Sequence, residues 1–281
     1  MPIYRPSELK QRLRNLNAVP KKKLSQNFLL DGNIIKKIIK LGEVSSNDFI
    51  LEIGSGPGAL TEALLNTGAT VFAVEKDRIF AEALTQLEQE GLRLKVFCED
   101  IMTLNLDKAL SPYTFGKPIK VIANLPYHLT TPIITHLVPQ HRLFSTLVIM
   151  VQEEVARRFV SKPGSKMYGS ITVFLNFYST SEYAFRVSKN CFYPRPNVES
   201  ALVKFTLHVP SNSVDEKEFF GLTRNAFGHR RKMIHNSLEE VYDSKTVQEA
   251  LMRIGKSQHV RAEELSLEDF LNLYKQLKKA N

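Results

Sequence analysis

The sequence predicts an α/β chain: an open, mostly parallel sheet with helices between its strands, followed by a smaller helical domain. Short apolar strands alternate with helical segments as far as Leu207. A glycine-rich turn, Gly54-Ser55-Gly56-Pro57-Gly58, follows the first of these strands at once. Past Val209-Pro210-Ser211-Asn212-Ser213 the sheet pattern stops and only helical patterns remain.

Taken in order, residues 1–24 read as a basic arm, mobile or partly helical. Arg5, Lys10, Arg12, Arg14, Lys21, Lys22 and Lys23 are opposed there by Glu8 alone. After Ser25-Gln26-Asn27-Phe28-Leu29-Leu30, Asp31 is a suitable N-cap for a helix with Ile34, Ile35, Ile38, Ile39 and Leu41 on its apolar face. Phe49–Ile53 is the first central strand. The glycines after it let backbone N–H groups approach a ligand closely, although Ala59 stands where the dinucleotide fingerprint has its last glycine.

The second strand, Thr70–Val74, ends at Glu75, 21 residues beyond Gly54. That is the spacing of a carboxylate that grips ribose hydroxyls. The third, Leu92–Cys98, ends in Glu99-Asp100, where Asp100 is placed to accept from an adenine amine and Ile101 to pack on its ring. The fourth, Ile119–Ala123, runs into Asn124-Leu125-Pro126-Tyr127. A fifth, Thr146–Val151, precedes a helix over Gln152–Phe159 with Val155, Ala156 and Phe159 inward.

The 161–169 loop offers Lys162, Lys166 and Tyr168 to a phosphate backbone, and the Ser170–Tyr178 helix is apolar nearly all round, hence core. Strands near Tyr183–Val187 and Ala201–Leu207 close the sheet, with a proline-stiffened Phe192–Pro196 segment between them. The domain boundary is placed at 208/209. In the helical domain, Glu218–Leu238 reads as one helix with Phe220, Phe227, Ile234 and Leu238 inward, and Arg224 and Arg231 on another face. Gly255 and Lys256–Val260 separate two later helices, and Ser266-Leu267-Glu268-Asp269 is a capping start for the last.

Composition narrows the function. The 281 residues are 43% hydrophobic and 24% charged, the balance of a soluble globular protein. No apolar run approaches the roughly 18 residues that span a bilayer, and the basic N-terminus lacks the apolar core of a secretory signal. Cys98 and Cys191 are expected as reduced, packed thiols of a cytoplasmic protein. The histidines show no zinc-ligand spacing, so no metal is expected. A net charge of +9 and a pI near 9.4 point to a polyanionic partner, nucleic acid above all.

The four residues at the end of the fourth strand carry the chemistry. Asn124 offers a neutral amide oxygen, and Pro126 holds Leu125 extended, restricting where its carbonyl points. Tyr127 adds a flat ring. Two acceptors beside an aromatic face suit the NH2 group of a planar base. Hydrogen bonds from both N–H groups favour a pyramidal nitrogen and aim its lone pair at an incoming methyl, so orientation and electrostatics suffice without a strong base. Phe192 is expected to cover the other face of the base. The glycine turn, Glu75 and Asp100, on three successive strand ends, fit a nucleoside cofactor.

These motifs closely resemble the rRNA adenine N6,N6-dimethyltransferase family, the KsgA or RsmA enzymes of bacteria, over nearly the whole chain. The likeness runs through Gln26-Asn27-Phe28-Leu29, residues 51–58, Glu75, Asp100, Asn124–Tyr127, residues 163–169, residues 192–200 and residues 226–232. It implies a Rossmann-like S-adenosylmethionine-dependent methyltransferase domain with an antiparallel last strand. Asn27, Leu29, Gly54, Gly56, Glu75, Asp100 and Asn124 would contact the cofactor, and Asn124, Leu125, Pro126, Tyr127 and Phe192 the target base. Lys21, Lys22, Lys23, Lys166, Arg224, Arg230, Arg231 and Lys232 are the expected RNA contacts. The implied reaction is dimethylation of two adjacent adenosines in a hairpin near the 3′ end of small-subunit rRNA, by a monomer acting on a pre-30S particle. The alternatives are a large-subunit rRNA, DNA or protein-glutamine methylase, and a non-catalytic RNA-binding assembly factor. Glutamine and DNA enzymes usually carry Pro-Pro-Tyr or Pro-Pro-Phe where this chain has Leu125-Pro126-Tyr127.

Overall fold

The computed structural model describes residues 2–21, 24–89, 93–210, 214–229 and 232–280. Its strands are β1 (Phe28–Leu29), β2 (Phe49–Ile53), β3 (Thr70–Val74), β4 (Leu94–Phe97), β5 (Ile119–Asn124), β6 (Phe144–Gln152), β7 (Ser179–Val187), β8 (Phe192–Tyr193) and β9 (Ser200–Leu207). Seven form one sheet in the order β4-β3-β2-β5-β6-β9-β7, while β1 and β8 form a separate antiparallel pair. From β4 to β6 neighbouring strands are parallel, and β9 is antiparallel to β6. The central strands are buried on both faces, which is why they read as continuous apolar runs. Being parallel, β2, β3, β4 and β5 bring their C-terminal ends to one edge, where ligands bind in such sheets.

The chain divides into two compact units, Met1–Ala156 with Thr180–Val209, and Arg157–Ser179 with Pro210–Asn281. The segment 157–179, expected with the first domain, belongs to the second unit. Its helix Ser170–Tyr178 needs apolar neighbours on every side, and Phe177 meets Phe219 and Phe220 of the helix Glu216–Gly228 at 5.5 and 5.2 Å. Tyr168 is likewise core rather than an RNA contact: it is fully buried, with its ring 5.9 Å from that of Phe227.

The single helix expected over 218–238 is two. The first stops at Gly228, where His229 leaves helical geometry, and a short turn resumes at Ile234–Ser237. Arg224 lies on the first of these helices, and Arg231 lies outside the described residues. The last helix, Leu267–Ala280, is capped reciprocally: the Ser266 backbone N–H donates to Asp269 (3.0 Å), whose own N–H donates to the Ser266 hydroxyl (3.2 Å).

In the first unit the N-terminal arm is built in. Pro6–Asn15 is a helix whose Leu9 and Leu13 pack with Phe28 and Phe80. Gly32 makes room for the neighbouring Tyr4, since a Cβ there would lie 2.5 Å from the ring. The cysteines are unbridged, but Cys98 is exposed rather than packed, because edge strand β4 ends one residue before it. Among the described residues no helix is long and apolar enough to cross a membrane.

Candidate active site

A cavity of about 310 Å³ opens at the C-terminal ends of β2, β3, β4 and β5, within the size range of ligand sites. Its wall includes Asn27, Gly54, Gly56, Glu75, Asp100, Asn124, Leu125, Pro126 and Tyr127. Leu29 lines a smaller adjoining space under the glycine turn, together with Glu52 and Ser55.

The turn owes its shape to Gly54 and Gly56, at φ of 73° and 53°, where most side chains would be strained. A Cβ on Gly56 would also press on the Phe28 ring at 3.0 Å. Glu75, buried at the end of β3, accepts from the Gly56 N–H and the Asp77 N–H, both at 2.7 Å. Burial raises its pKa against those two bonds. Each carboxylate oxygen retains acceptor capacity for a ligand hydroxyl. Asp100 behaves oppositely: the Lys76 ammonium at 2.8 Å and the Met102 N–H hold it below the usual carboxylate range.

Glu52 lies one strand behind. It is buried and accepts from the Thr61 hydroxyl at 2.6 Å, and burial, aided by the charge of Glu75, pushes it up from 4.5 to about 7. A carboxyl that is harder to ionise when folded contributes stability that is full below pH 4.5 and lost as pH rises through about 7. The rise corresponds to about 3 kcal/mol. Glu52→Gln should therefore flatten the decline of unfolding free energy between pH 4.5 and 7.5, read by urea denaturation at each pH. An unchanged slope would remove Glu52 as its source.

A strap, residues 24–29, covers one side of the cavity and is tied down at several points. Asn124 Nδ2 donates to the Asn27 carbonyl at 2.9 Å. This turns the amide nitrogen toward the strap, using one of its two N–H donors, and leaves Oδ1 as an acceptor. Ser25 Oγ and His128 Nδ1 are 2.8 Å apart. Gln26 Nε2 and Lys21 Nζ both donate to Asp77 Oδ2, at 2.9 and 2.8 Å. Burial would raise Asp77, but these bonds together hold its pKa below the ordinary value. Beyond the strap, β1 pairs with β8, setting Phe28 opposite Tyr193 and Leu29 opposite Phe192.

Tyr127 is anchored from the far side. Its hydroxyl lies 2.8 Å from Ser200 Oγ at the start of β9, and burial raises its pKa. The Pro126 carbonyl accepts from the Leu129 N–H at 3.0 Å and from Thr130 Oγ1 at 3.3 Å. Among the described residues none donates to the Leu125 carbonyl. Asn124 Oδ1 and that carbonyl are two neighbouring acceptors without an internal donor, beside an immobilised aromatic ring.

The sequence profile of the family described as ribosomal RNA adenine dimethylase matches residues 18–279. The chain belongs to the ribosomal RNA adenine dimethylase family. It is 50% identical to the ribosomal RNA small subunit methyltransferase A of Protochlamydia amoebophila over 278 residues, covering 99% of this chain and 98% of that one. Identity to the enzyme of the same name from Chlamydia trachomatis serovar L2 is 46% over 270 residues, covering 95% of each. The crystal structure of a dimethyladenosine transferase from Plasmodium falciparum superposes with a TM-score of 0.76 at 26% identity, covering 90% of this chain and 98% of that one. The 23S rRNA methyltransferase ErmE shares the fold, with a TM-score of 0.69 at 24% identity over 90% of this chain and all of that one.

In this dimethylase, two of the expected contacts sit apart from the others. Phe192 is not part of the cavity wall. It is only 3% exposed, because the β1–β8 register turns it with Leu29 into the core. Lys21, its side chain about half exposed, pairs with the buried Asp77 carboxylate and so also ties down the strap. Of the other basic residues, Lys166 and Arg224 are exposed and Lys232 pairs with Glu239 at 3.4 Å. Lys22, Lys23, Arg230 and Arg231 lie outside the described residues. Pattern reading missed Ser25, Asp77, His128 and Ser200. Only Asp77, two residues past Glu75 at a helix start, carried a local signal.

Proposed function

We propose that this dimethylase transfers methyl groups to the N6 amines of two adjacent adenosines in small-subunit rRNA. We further propose that it acts as a cytoplasmic monomer on a pre-30S particle. The observation that carries the reading is the Asn124 amide, oriented by its bond to Asn27 beside the Leu125 carbonyl. S-adenosylmethionine is the cofactor, and when bound it supplies an electrophilic methyl on a sulfonium. The residues present fit it: two left-handed glycines without side chains let a ligand approach the turn closely, Glu75 is a ribose acceptor, and Asp100 with Ile101 suits the adenine.

On the substrate side, Asn124 Oδ1 accepts one N6–H and the Leu125 carbonyl the other. The nitrogen's lone pair is thereby withdrawn from ring conjugation and directed away from both acceptors. Tyr127, held by Ser200, stacks on the base. A neutral amide is adequate because the N6 proton becomes acidic only once the methyl has arrived.

The test is to incubate the protein with labelled S-adenosylmethionine and undermethylated small subunits, then map modified nucleotides by mass spectrometry. Two adjacent N6,N6-dimethyladenosines in small-subunit rRNA are expected. Label confined to large-subunit rRNA, or tight subunit binding without label, would replace this reading by one of its alternatives.

A further inference from the structure

Tyr193 is the residue that the active site leaves unexplained. It follows buried Phe192 on β8 and shows 37% of its surface to solvent, unusual for an aromatic held in a strand pair. Its backbone is fixed opposite Phe28, and cross-strand partners share a face. Phe28 packs with Leu9 and Leu13 of the N-terminal helix and also lines the cavity, so Tyr193 stands on the face of the pair turned to that helix, while Leu29 and Phe192 share the other face. The segment it opens, residues 193–198, is exposed apart from half-buried Pro196. The chain then runs through Glu199 to Ser200, whose hydroxyl holds Tyr127. Both of its ends are therefore fastened to the active site, one through the strap and the other through the catalytic tyrosine.

Two cations stand near this ring, one in space and one in sequence. Lys10, from the N-terminal helix, sets its ammonium 5.9 Å from the ring centroid, and Arg195 is exposed two residues on. An exposed aromatic face flanked by cations is how proteins hold a single-stranded base with its phosphates. A buried aromatic would serve packing, and an exposed lysine alone would serve only charge. The combination at the rim of a base-modifying cavity serves a nucleotide next to the one being modified.

We propose that Tyr193, with Lys10 and Arg195, is a stacking platform for an unpaired nucleobase flanking the target adenosines in the substrate RNA. The inference rests on the RNA-methylating reading above and names a subsite for it. Base extrusion leaves the neighbouring nucleotides unstacked, and a ring already anchored by β1 offers one of them a partner at little ordering cost.

The experiment compares Tyr193→Ala, Tyr193→Phe and Tyr193→Trp in methylation of undermethylated small subunits. Tyr193→Ala should raise the KM for subunits about tenfold, the size of one lost base–aromatic stack. Its kcat should stay within about twofold and its S-adenosylmethionine affinity should be unchanged, which also reports that the variant is folded. Phe and Trp should restore KM. In subunits rebuilt with a single abasic nucleotide beside the target pair, wild type should lose the same factor at one position, and Tyr193→Ala should lose nothing further there. Wild-type KM in Tyr193→Ala, or a loss that Phe and Trp fail to restore, would overturn the platform while leaving the proposed reaction intact. Failure of wild type to methylate the subunits would overturn the reaction itself.

Discussion

Asn124→Ala should lower kcat for methyl transfer about 10²- to 10³-fold and leave RNA affinity nearly unchanged. That range is the usual consequence of deleting one preorganised polar group at a reacting centre. The loss falls on kcat because the amide's service is to orient and polarise the amine, while RNA affinity comes mostly from phosphate contacts elsewhere. A second effect is specific to this structure. Asn124 Nδ2 holds the Asn27 carbonyl, so alanine also releases one tie of the strap, and the KM for cofactor rises several-fold. Asn124→Asp separates the two roles: it keeps an acceptor but cannot donate to Asn27, and its charge repels that carbonyl. It should bind cofactor worse than alanine does while retaining more of the chemistry per bound complex. Steady-state kinetics with both substrates varied will check this, and an unchanged kcat in Asn124→Ala would remove the amide from the mechanism.

Glu75→Ala should weaken S-adenosylmethionine binding about 100-fold, measured by calorimetry. Hydrogen bonds to a charged acceptor contribute roughly 1.5–3 kcal/mol each, and two ribose hydroxyls are at stake. The carboxylate also caps the Gly56 and Asp77 N–H groups, so alanine leaves two inward donors without their acceptor. The melting temperature of the cofactor-free protein should therefore fall as well. Glu75→Gln, with one acceptor oxygen left, should lie between the two. A variant with lower melting temperature but unaltered affinity would make Glu75 a structural brace of the glycine turn and nothing more.

How much of this was legible in the sequence depends on the range of each interaction. The central strands announced themselves because burial on both faces makes continuous apolar runs. Glu75, Asp100 and Asn124 were legible because a parallel sheet sets successive strand ends side by side, so position in the chain predicts position in the site. Contacts between distant segments left no such mark. Tyr127 to Ser200 and Ser25 to His128 span 73 and 103 residues, and nothing in a serine or histidine advertises its partner. The pair β1–β8 is two residues long, too short for any periodicity, yet its register sends Phe192 to the core and Tyr193 to the surface. For the same reason the burial of Phe192 was not legible: a motif names the residues but not which of two neighbours is turned inward. Tyr168 and the 157–179 segment misled because a loop rich in Lys and Gly looks like surface, whereas its aromatic is claimed by Phe227.

The most direct test of the central claim is a crystal structure of the protein with S-adenosylhomocysteine and a short RNA presenting the target adenosine. The account predicts N6 within about 2.7–3.2 Å of both Asn124 Oδ1 and the Leu125 carbonyl oxygen, with Tyr127 stacked on the base. An adenosine whose N6 is turned away from Asn124, or an Asn124 amide with its nitrogen toward the base, would contradict it.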